Sequence, residues 1–366
     1  MNSRTAILAF CIGLLCLTGG ARAQKAAPYP VVQGKYYKFE KIADGVYYAS
    51  PELNGTPFPF GSNPFFGANL VVIVNKDDVV LVDSPTTPRA AHALLADLKG
   101  LTSKPVRTVI NTHWHYEHTD ANSVFGPEVQ IIAHDYVRQA IEKFDILNNE
   151  PFYSSSRNSG RVLVARFQKQ VDAETNPARK AALQKNLADA QAALREFTGD
   201  IKAIRPTPPN LTYNNRLVLH RGTREIRLLF LGRGHTGGDT VVFLPKERIV
   251  ATGDLMESRL AYMGSAFFDE WIATLGALNR LDWAVTLPGH GVPFTDKGLV
   301  TAYQAYLRDV MAQVAKLRAA GVSADDAARR VDLRAHAKAF PDIEDVGAEV
   351  RGIRRLYAWM DETGRK

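Results

Sequence analysis

The chain of 366 residues carries only two cysteines, Cys11 and Cys16, both near its start. So few thiols exclude a disulfide-stapled fold and a zinc site built from several thiolates. Long apolar runs are scarce too. Ala6 to Leu17 is one, and it is too short to span a bilayer comfortably. No other run is long enough for a membrane helix. Charge of one sign is nowhere blocked: 45 Lys and Arg stand against 38 Asp and Glu, spread along the chain. This mild basic balance describes a mixed-charge surface rather than a nucleic-acid footprint, so the expected partner is a small molecule and not a nucleic acid. What is present is 46% hydrophobic and 9% aromatic residues, enough to fill a core without staples.

The first segment reads as an address. Arg4 gives a positive start, the apolar run follows, and Ala21-Arg22-Ala23 fits the small-x-small cleavage pattern. A signal peptide over residues 1–23 is expected, and with it an exported, periplasmic or secreted, location. Cleavage there removes both cysteines together with Arg4 and Arg22, and the formal charge falls from +7 to +5. The mature chain then has no disulfide, no thiolate ligand and no membrane span.

Beyond the leader, short β-branched runs alternate with helical and turn segments. Strands are expected at Ala68 to Val74, Val79 to Asp83, Val106 to Asn111 and Val129 to Ala133. A second set covers Leu217 to Leu219, Glu225 to Leu231, Thr240 to Leu244, Ile249 to Thr252 and Ala284 to Leu287. Helices are expected at Arg89 to Leu98, Thr119 to Phe125 and Trp271 to Leu281. This order predicts an α/β sandwich of mixed sheets with helices outside. Two helical additions stand apart. Residues 150–210 read as an insertion: Asn176-Pro177 opens a helix whose Leu183, Leu187, Ala190, Leu194 and Phe197 form one apolar stripe. From Gly298 onward a second stripe, Val300, Tyr303, Leu307, Val310, Val314 and Leu317, marks a C-terminal helical extension. Both stripes read as packing faces.

The chemistry lies in His113-Trp114-His115-Tyr116-Glu117-His118, directly after an expected buried strand. In extended chain, residues two apart face the same side, so His113 and His115 can offer imidazoles to one metal ion. A turn before Thr119 then swings Glu117 and His118 towards a second ion. Imidazole with carboxylate suits zinc and its first-row neighbours. Three other expected strands end in a glycine-flanked ligand type: His235 within Gly232 to Asp239, Asp254 after Gly253, and His290 between Gly289 and Gly291. Strand carboxyl ends are where sites form in open α/β sheets.

With these motifs the chain resembles a metallo-β-lactamase-fold hydrolase over about residues 36–300, the extension following over 301–366. The family's first motif, His-x-His-x-Asp-His, matches His113 to His118 with Glu117 in the aspartate place. His235, Asp254 and His290 match its later ligands, a set like that of glyoxalase II. The resemblance implies a four-layer αβ/βα sandwich and two divalent ions, zinc with iron or manganese as alternatives. It implies that His113, His115 and His235 hold one ion, that Glu117, His118 and His290 hold the other, and that Asp254 bridges them. Asp83 resembles the family's carboxylate behind the ligands, with a strand-end cap as its other reading. The reaction implied is attack of metal-bound hydroxide on an ester, thioester, lactone or lactam carbonyl, with Asp254 or Glu117 shuttling the proton.

Export fits a β-lactamase or a scavenging esterase or lactonase. True metallo-β-lactamases resemble this set but usually carry Cys or Ser in the Asp254 place, so β-lactam hydrolysis stands second. A metal- or partner-binding protein without turnover is the alternative from another class. The loop Asn54 to Phe66, with Phe58, Phe60, Phe65 and Phe66, reads as a packed connector that can also wall an apolar pocket. Trp114 and Tyr116 alternate with the ligands and point away from them. Arg233 reads as a solvent-facing turn arginine, with a substrate carboxylate as its other partner. His92, His134, His220 and His336 have no motif partners and read as structural.

Overall fold

Alternation along the strands decides the layering. The computed structural model describes residues 29–52, 67–143 and 150–364, except the side chains of residues 150–160 and Phe197. The expected signal peptide and the whole aromatic loop, Asn54 to Phe66, lie outside the described residues. Among the described residues eight strands form the first sheet in chain order: β1 Val31–Gln33, β2 Tyr37–Ala43, β3 Val46–Pro51, β4 Leu70–Val74, β5 Val79–Val82, β6 Val106–Ile110, β7 Gln130–His134 and β8 Leu211–Tyr213. Pairing is antiparallel from β1 to β5 and parallel from β5 to β8. The second sheet runs in the order β13-β12-β11-β10-β9, from β9 Arg216–Arg221, β10 Arg224–Phe230, β11 Thr240–Leu244, β12 Ile249–Gly253 and β13 Val285–Pro288.

In β4, Val71 and Ile73 join a core shared by both sheets, whereas Leu70 and Val72 join a core on the far side. In β5 the same split separates Val80 and Val82 from Val79 and Leu81. In β11, Val242 and Leu244 face the first sheet while Val241 and Phe243 face away. Strands buried on both faces need cover on both. Each such side chain contributes roughly 1.5–3 kcal/mol when buried, so a bare outer face would forfeit most of a domain's net stability. Helices supply the cover, and the result is the expected four-layer αβ/βα sandwich.

The helices are α1 Pro88–Leu98, α2 Tyr116–Thr119, α3 Asp135–Lys143, α4 Glu150–Ala173, α5 Pro177–Asp200, α6 Phe268–Arg280, α7 Lys297–Ala319, α8 Ala324–Arg330 and α9 Val350–Thr363. α1 covers the first sheet through Ala90, Leu94 and Leu98, joined by Leu163 of α4 and Ala193 of α5. The α4–α5 pair thus sits in the crossover between β7 and β8. Asn176 caps α5, its Oδ1 accepting from the amides of Ala178 and Arg179 at 3.1 Å each. On α5, Leu187 and Ala190 are buried and Leu183 and Leu194 half-buried. Val300, Tyr303, Leu307, Val310 and Val314 of α7 are buried against α6, α8 and α9, so that stripe is a packing face. Among the described residues no helix is long and apolar enough to cross a membrane.

Two details depart from expectation. Strands β1, β2, β3 and β8 add to the expected set. The helix expected at Thr119 begins three residues sooner, at Tyr116, and a separate 3-10 turn covers Asn122–Val124. His115 takes extended angles (φ −62°, ψ 147°) and stands as the residue before α2, so the chain turns within the histidine motif itself.

Candidate metal centre

Four loop segments at the carboxyl ends of strands meet at one place. His113, His115 and His118 leave β6 and are buried to 1% exposure or less. His235 arrives from β10, Asp254 from β12 and His290 from β13. Two glycines permit the approach. Gly253 has φ 51°, and a Cβ there would lie 2.3 Å from Thr112 Oγ1. A Cβ on Gly289 would lie 2.3 Å from Asp254 Oδ1. Only glycine fits at either position. The first sheet grips the last loop as well: Tyr48 Oη donates to the Pro288 carbonyl at 2.8 Å, and the Asn69 amide to the Gly289 carbonyl at 2.8 Å.

All seven side chains singled out in the sequence come together, in two groups. His113, His115, His235 and Asp254 form one; Glu117, His118, Asp254 and His290 form the other. Within each group the ligand atoms lie within 4.8 Å of one another, and either group is able to hold a metal ion. Asp254 belongs to both. Its Oδ2 is 3.8, 3.7 and 3.4 Å from Nε2 of His113, His235 and His290, and its Oδ1 is 3.4 Å from Nε2 of His118. Glu117, despite its extra methylene, reaches the second group, with Oε1 3.8 Å from His290 Nε2.

The hydrogen-bond network fixes which ring nitrogens face inward. Thr112 Oγ1 donates its only proton to Asp83 Oδ2 (2.9 Å), so the contact with His113 Nδ1 at 3.1 Å requires a proton on that nitrogen. His118 Nδ1 likewise donates to Asp83 Oδ2 at 2.8 Å. One carboxylate therefore sets two tautomers and leaves both Nε2 lone pairs inside. His115 Nε2 meets Ser265 Oγ at 3.2 Å, leaving its Nδ1 3.1 Å from His235 Nε2.

This donor set fits divalent cations. Among the described residues, His113 Nε2, His118 Nε2, Asp254 Oδ1 and Glu117 Oε2 are buried without a hydrogen-bond partner. At about 1–3 kcal/mol each, four such atoms would consume much of a typical net stability of about 5–15 kcal/mol. Cations held there would satisfy them together. Burial, reinforced by neighbouring imidazoles, holds His113 and His115 well below the usual histidine range. Burial pushes His235 down to about 4, so all three are neutral donors at neutral pH. On the other side burial disfavours charge on His118 and His290, yet Asp254 outweighs it and raises both, His290 to about 10. Burial also opposes the charge of Asp254, but His290 and His118 hold its carboxyl well below the usual range. Asp254 is thus an anion lying among imidazoles, where a proton and a cation compete for the same lone pairs.

A profile of the metallo-beta-lactamase superfamily matches residues 63–290. The chain belongs to that superfamily. It is 23% identical over 224 residues to the 2,4-dinitroanisole O-demethylase subunit alpha of Nocardioides sp., a match covering 60% of this chain and 51% of that one. It is 22% identical over 301 residues to the linear primary-alkylsulfatase of Pseudomonas sp., covering 78% of this chain and 54% of that one. The chain therefore spans about half the length of these two curated relatives. Among solved structures, a metallo-beta-lactamase from Pontibacter korlensis superposes with a TM-score of 0.50 at 17% identity, over 75% of this chain and 99% of that one. That likeness speaks for the fold alone.

In this superfamily member the support around the ligands was only partly visible in sequence. Asp83 acts as more than a strand-end cap. It has φ 69°, a conformation costly for a residue with a Cβ, and is held there by Thr112 N at 2.7 Å, Thr112 Oγ1 and His118. Asp83→Asn offers an amide where two imidazole tautomers need an acceptor. Metal affinity, measured by competition with a chromophoric chelator, is expected to fall about 10–100-fold; an unchanged affinity would reduce Asp83 to a cap. Asn111 and Asn122 were missed. Asn111 Nδ2 donates to the His118 carbonyl at 2.9 Å, and Asn122 Nδ2 to Asn111 Oδ1 at 2.8 Å, locking the ligand loop from below. Ser265 was missed too, because nothing in a loop 150 residues from His115 signals the contact. Arg233 is no free partner for a substrate: it is bidentate to Glu270 at 2.7 and 2.5 Å and stands 4.3 Å over the Phe267 ring. Trp114 packs with Val137, Ala140 and Ile141 of α3, but its ring also lies 4.8 Å from that of His115, edge-on, so it does not point wholly away from the site. Of the unmatched histidines, His134 bonds the Asn214 carbonyl at 2.9 Å and His336 pairs with Asp309 at 2.9 Å.

Proposed function

We propose that the chain is an exported dinuclear hydrolase of small molecules, zinc-dependent, acting at an ester, thioester, lactone or lactam carbonyl. Superfamily membership supports the hydrolase, and the leader pattern in the first 23 residues supports export. The observation that carries the dinuclear reading is Asp254, whose two oxygens face the imidazoles of both groups. Divalent cations held here would supply Lewis acidity toward water and toward the electrophilic carbon. The residues do the rest. His113, His115 and His235 give neutral donors on one side, leaving net positive charge for an oxyanion. His118, His290 and the carboxylates balance the other side. Glu117 has a side chain 17% exposed, against 3% for Asp254. It is the more open of the two acids, which supports Glu117 over Asp254 as the carboxylate that takes the proton from attacking water.

The relatives' names span an O-demethylase and an alkylsulfatase, so the substrate is not borrowed from either. The test is a panel: a chromogenic cephalosporin, a nitrophenyl ester, a thioester, a lactone and an alkyl sulfate, each offered to the metal-loaded protein. Hydrolysis of a carbonyl substrate, lost in His115→Ala, with about two ions bound per chain, is the expected result. Silence across the panel at full metal occupancy would favour a binding protein without turnover.

A further inference from the structure

Beyond the loop that follows Asp254, the C-terminal segment builds a second concavity. Residues 259–263 form one wall and residues 342–349, leading into α9, form another. The cavity has a volume of about 910 Å³, near the upper end of the ~300–1,000 Å³ that small-molecule sites enclose. Much of its lining is apolar: Leu260, Met263, Leu333, Ile343 and Val346. Val346 is 46% exposed and faces this space rather than a core.

The cavity adjoins the metal centre through Tyr262. That residue lines the cavity, and its ring lies 5.8 Å from the ring of His115. The loop carrying it is clamped from both sides. Ser265 holds His115, while from α9 Arg351 stands 4.6 Å over the Tyr262 ring and Arg355 donates to the Ala266 carbonyl at 3.0 Å. Acids outnumber arginines in the lining. The arginines Arg259, Arg329 and Arg351 already pair with Glu257, Asp326 and Glu349. The exposed Asp342, Glu344 and Asp345 place negative charge on the rim. An anionic group would enter against that field; a neutral apolar group would not.

The geometry points to this cavity as the subsite for an apolar, uncharged portion of the substrate, seated while the scissile bond lies at the Asp254 centre. The inference rests on the hydrolase reading above and adds to it a substrate class: neutral acyl compounds with a long or bulky hydrocarbon part. Two measurements test it on the full mature protein. The first is binding of the neutral fluorophore N-phenyl-1-naphthylamine; the second is kcat/KM for acetyl, octanoyl and carboxylate-ended octanoyl nitrophenyl esters. Ala348→Trp fills the cavity, and Val346→Glu, at an exposed position that does not threaten folding, charges it. Because each methylene buried adds to binding, each variant is expected to lose about tenfold in probe affinity and about tenfold in the octanoyl-to-acetyl ratio. The carboxylate-ended ester is expected to be about tenfold poorer than octanoyl in the parent protein. Variants that keep their metal, bind the probe like the parent and retain its chain-length ratio would overturn the assignment. A parent protein that cleaves no ester, yet binds the probe and loses it in both variants, would overturn the hydrolase reading and uphold the apolar site.

Discussion

Asp254→Asn is expected to reduce hydrolysis by on the order of a thousandfold or more and to leave one bound ion per chain or fewer. The reason is the sharing. Every other ligand serves one group, whereas Asp254 serves both, with Oδ2 within 3.8 Å of three imidazoles and Oδ1 within 3.4 Å of a fourth. Asparagine keeps the shape but removes the charge, and one of its two heads becomes a donor facing cations. The neutral imidazoles on one side then have no anion to balance a dication. Metal per chain and kcat/KM, measured on the same preparation, decide the matter. A variant with two ions and near-parent turnover would show that Asp254 is a spectator.

Chelation is expected to abolish hydrolysis and also to lower the melting temperature by several degrees. Cations that bind only the folded chain stabilise it by about 4 kcal/mol when free metal exceeds Kd a thousandfold. The orphaned atoms of His113, His118, Glu117 and Asp254 are where that energy enters. Stripping the protein exposes their unmet cost in the dry interior. Added zinc should restore both readouts. A protein whose activity and melting temperature ignore the chelator would refute a metal-dependent reaction.

The residues of the two candidate metal-holding groups were legible in the sequence because their signal is chemical as well as periodic. Three histidines and an acid within six positions after a β-branched run have few structural explanations. The later ligands each stood at the end of an expected strand beside a glycine, and the fold places those ends together. The strands β1, β2 and β3 carried weaker signals. In β2, Lys38, Glu40, Lys41 and the polar-tipped Tyr37 blur the apolar alternation, although Tyr37 and Phe39 are fully buried. Position of the first turn was missed because the residue that precedes α2 is the candidate ligand His115, which carries no capping signature.

Local periodicity and residue type thus determined, without coordinates, that this chain alternates strands and helices and sets imidazoles and carboxylates at strand ends. Tertiary structure alone decided how they are used. It set which nitrogen His113, His115 and His118 turn inward, through Asp83, Thr112 and Ser265. It decided that Asp254 stands between both groups, that Arg233 is committed to Glu270, and that α9 clamps the loop beside His115. The physical reason is distance along the chain. Such contacts join residues tens to more than a hundred positions apart, and a hydrogen bond's geometry is settled by packing between layers rather than by neighbours in sequence.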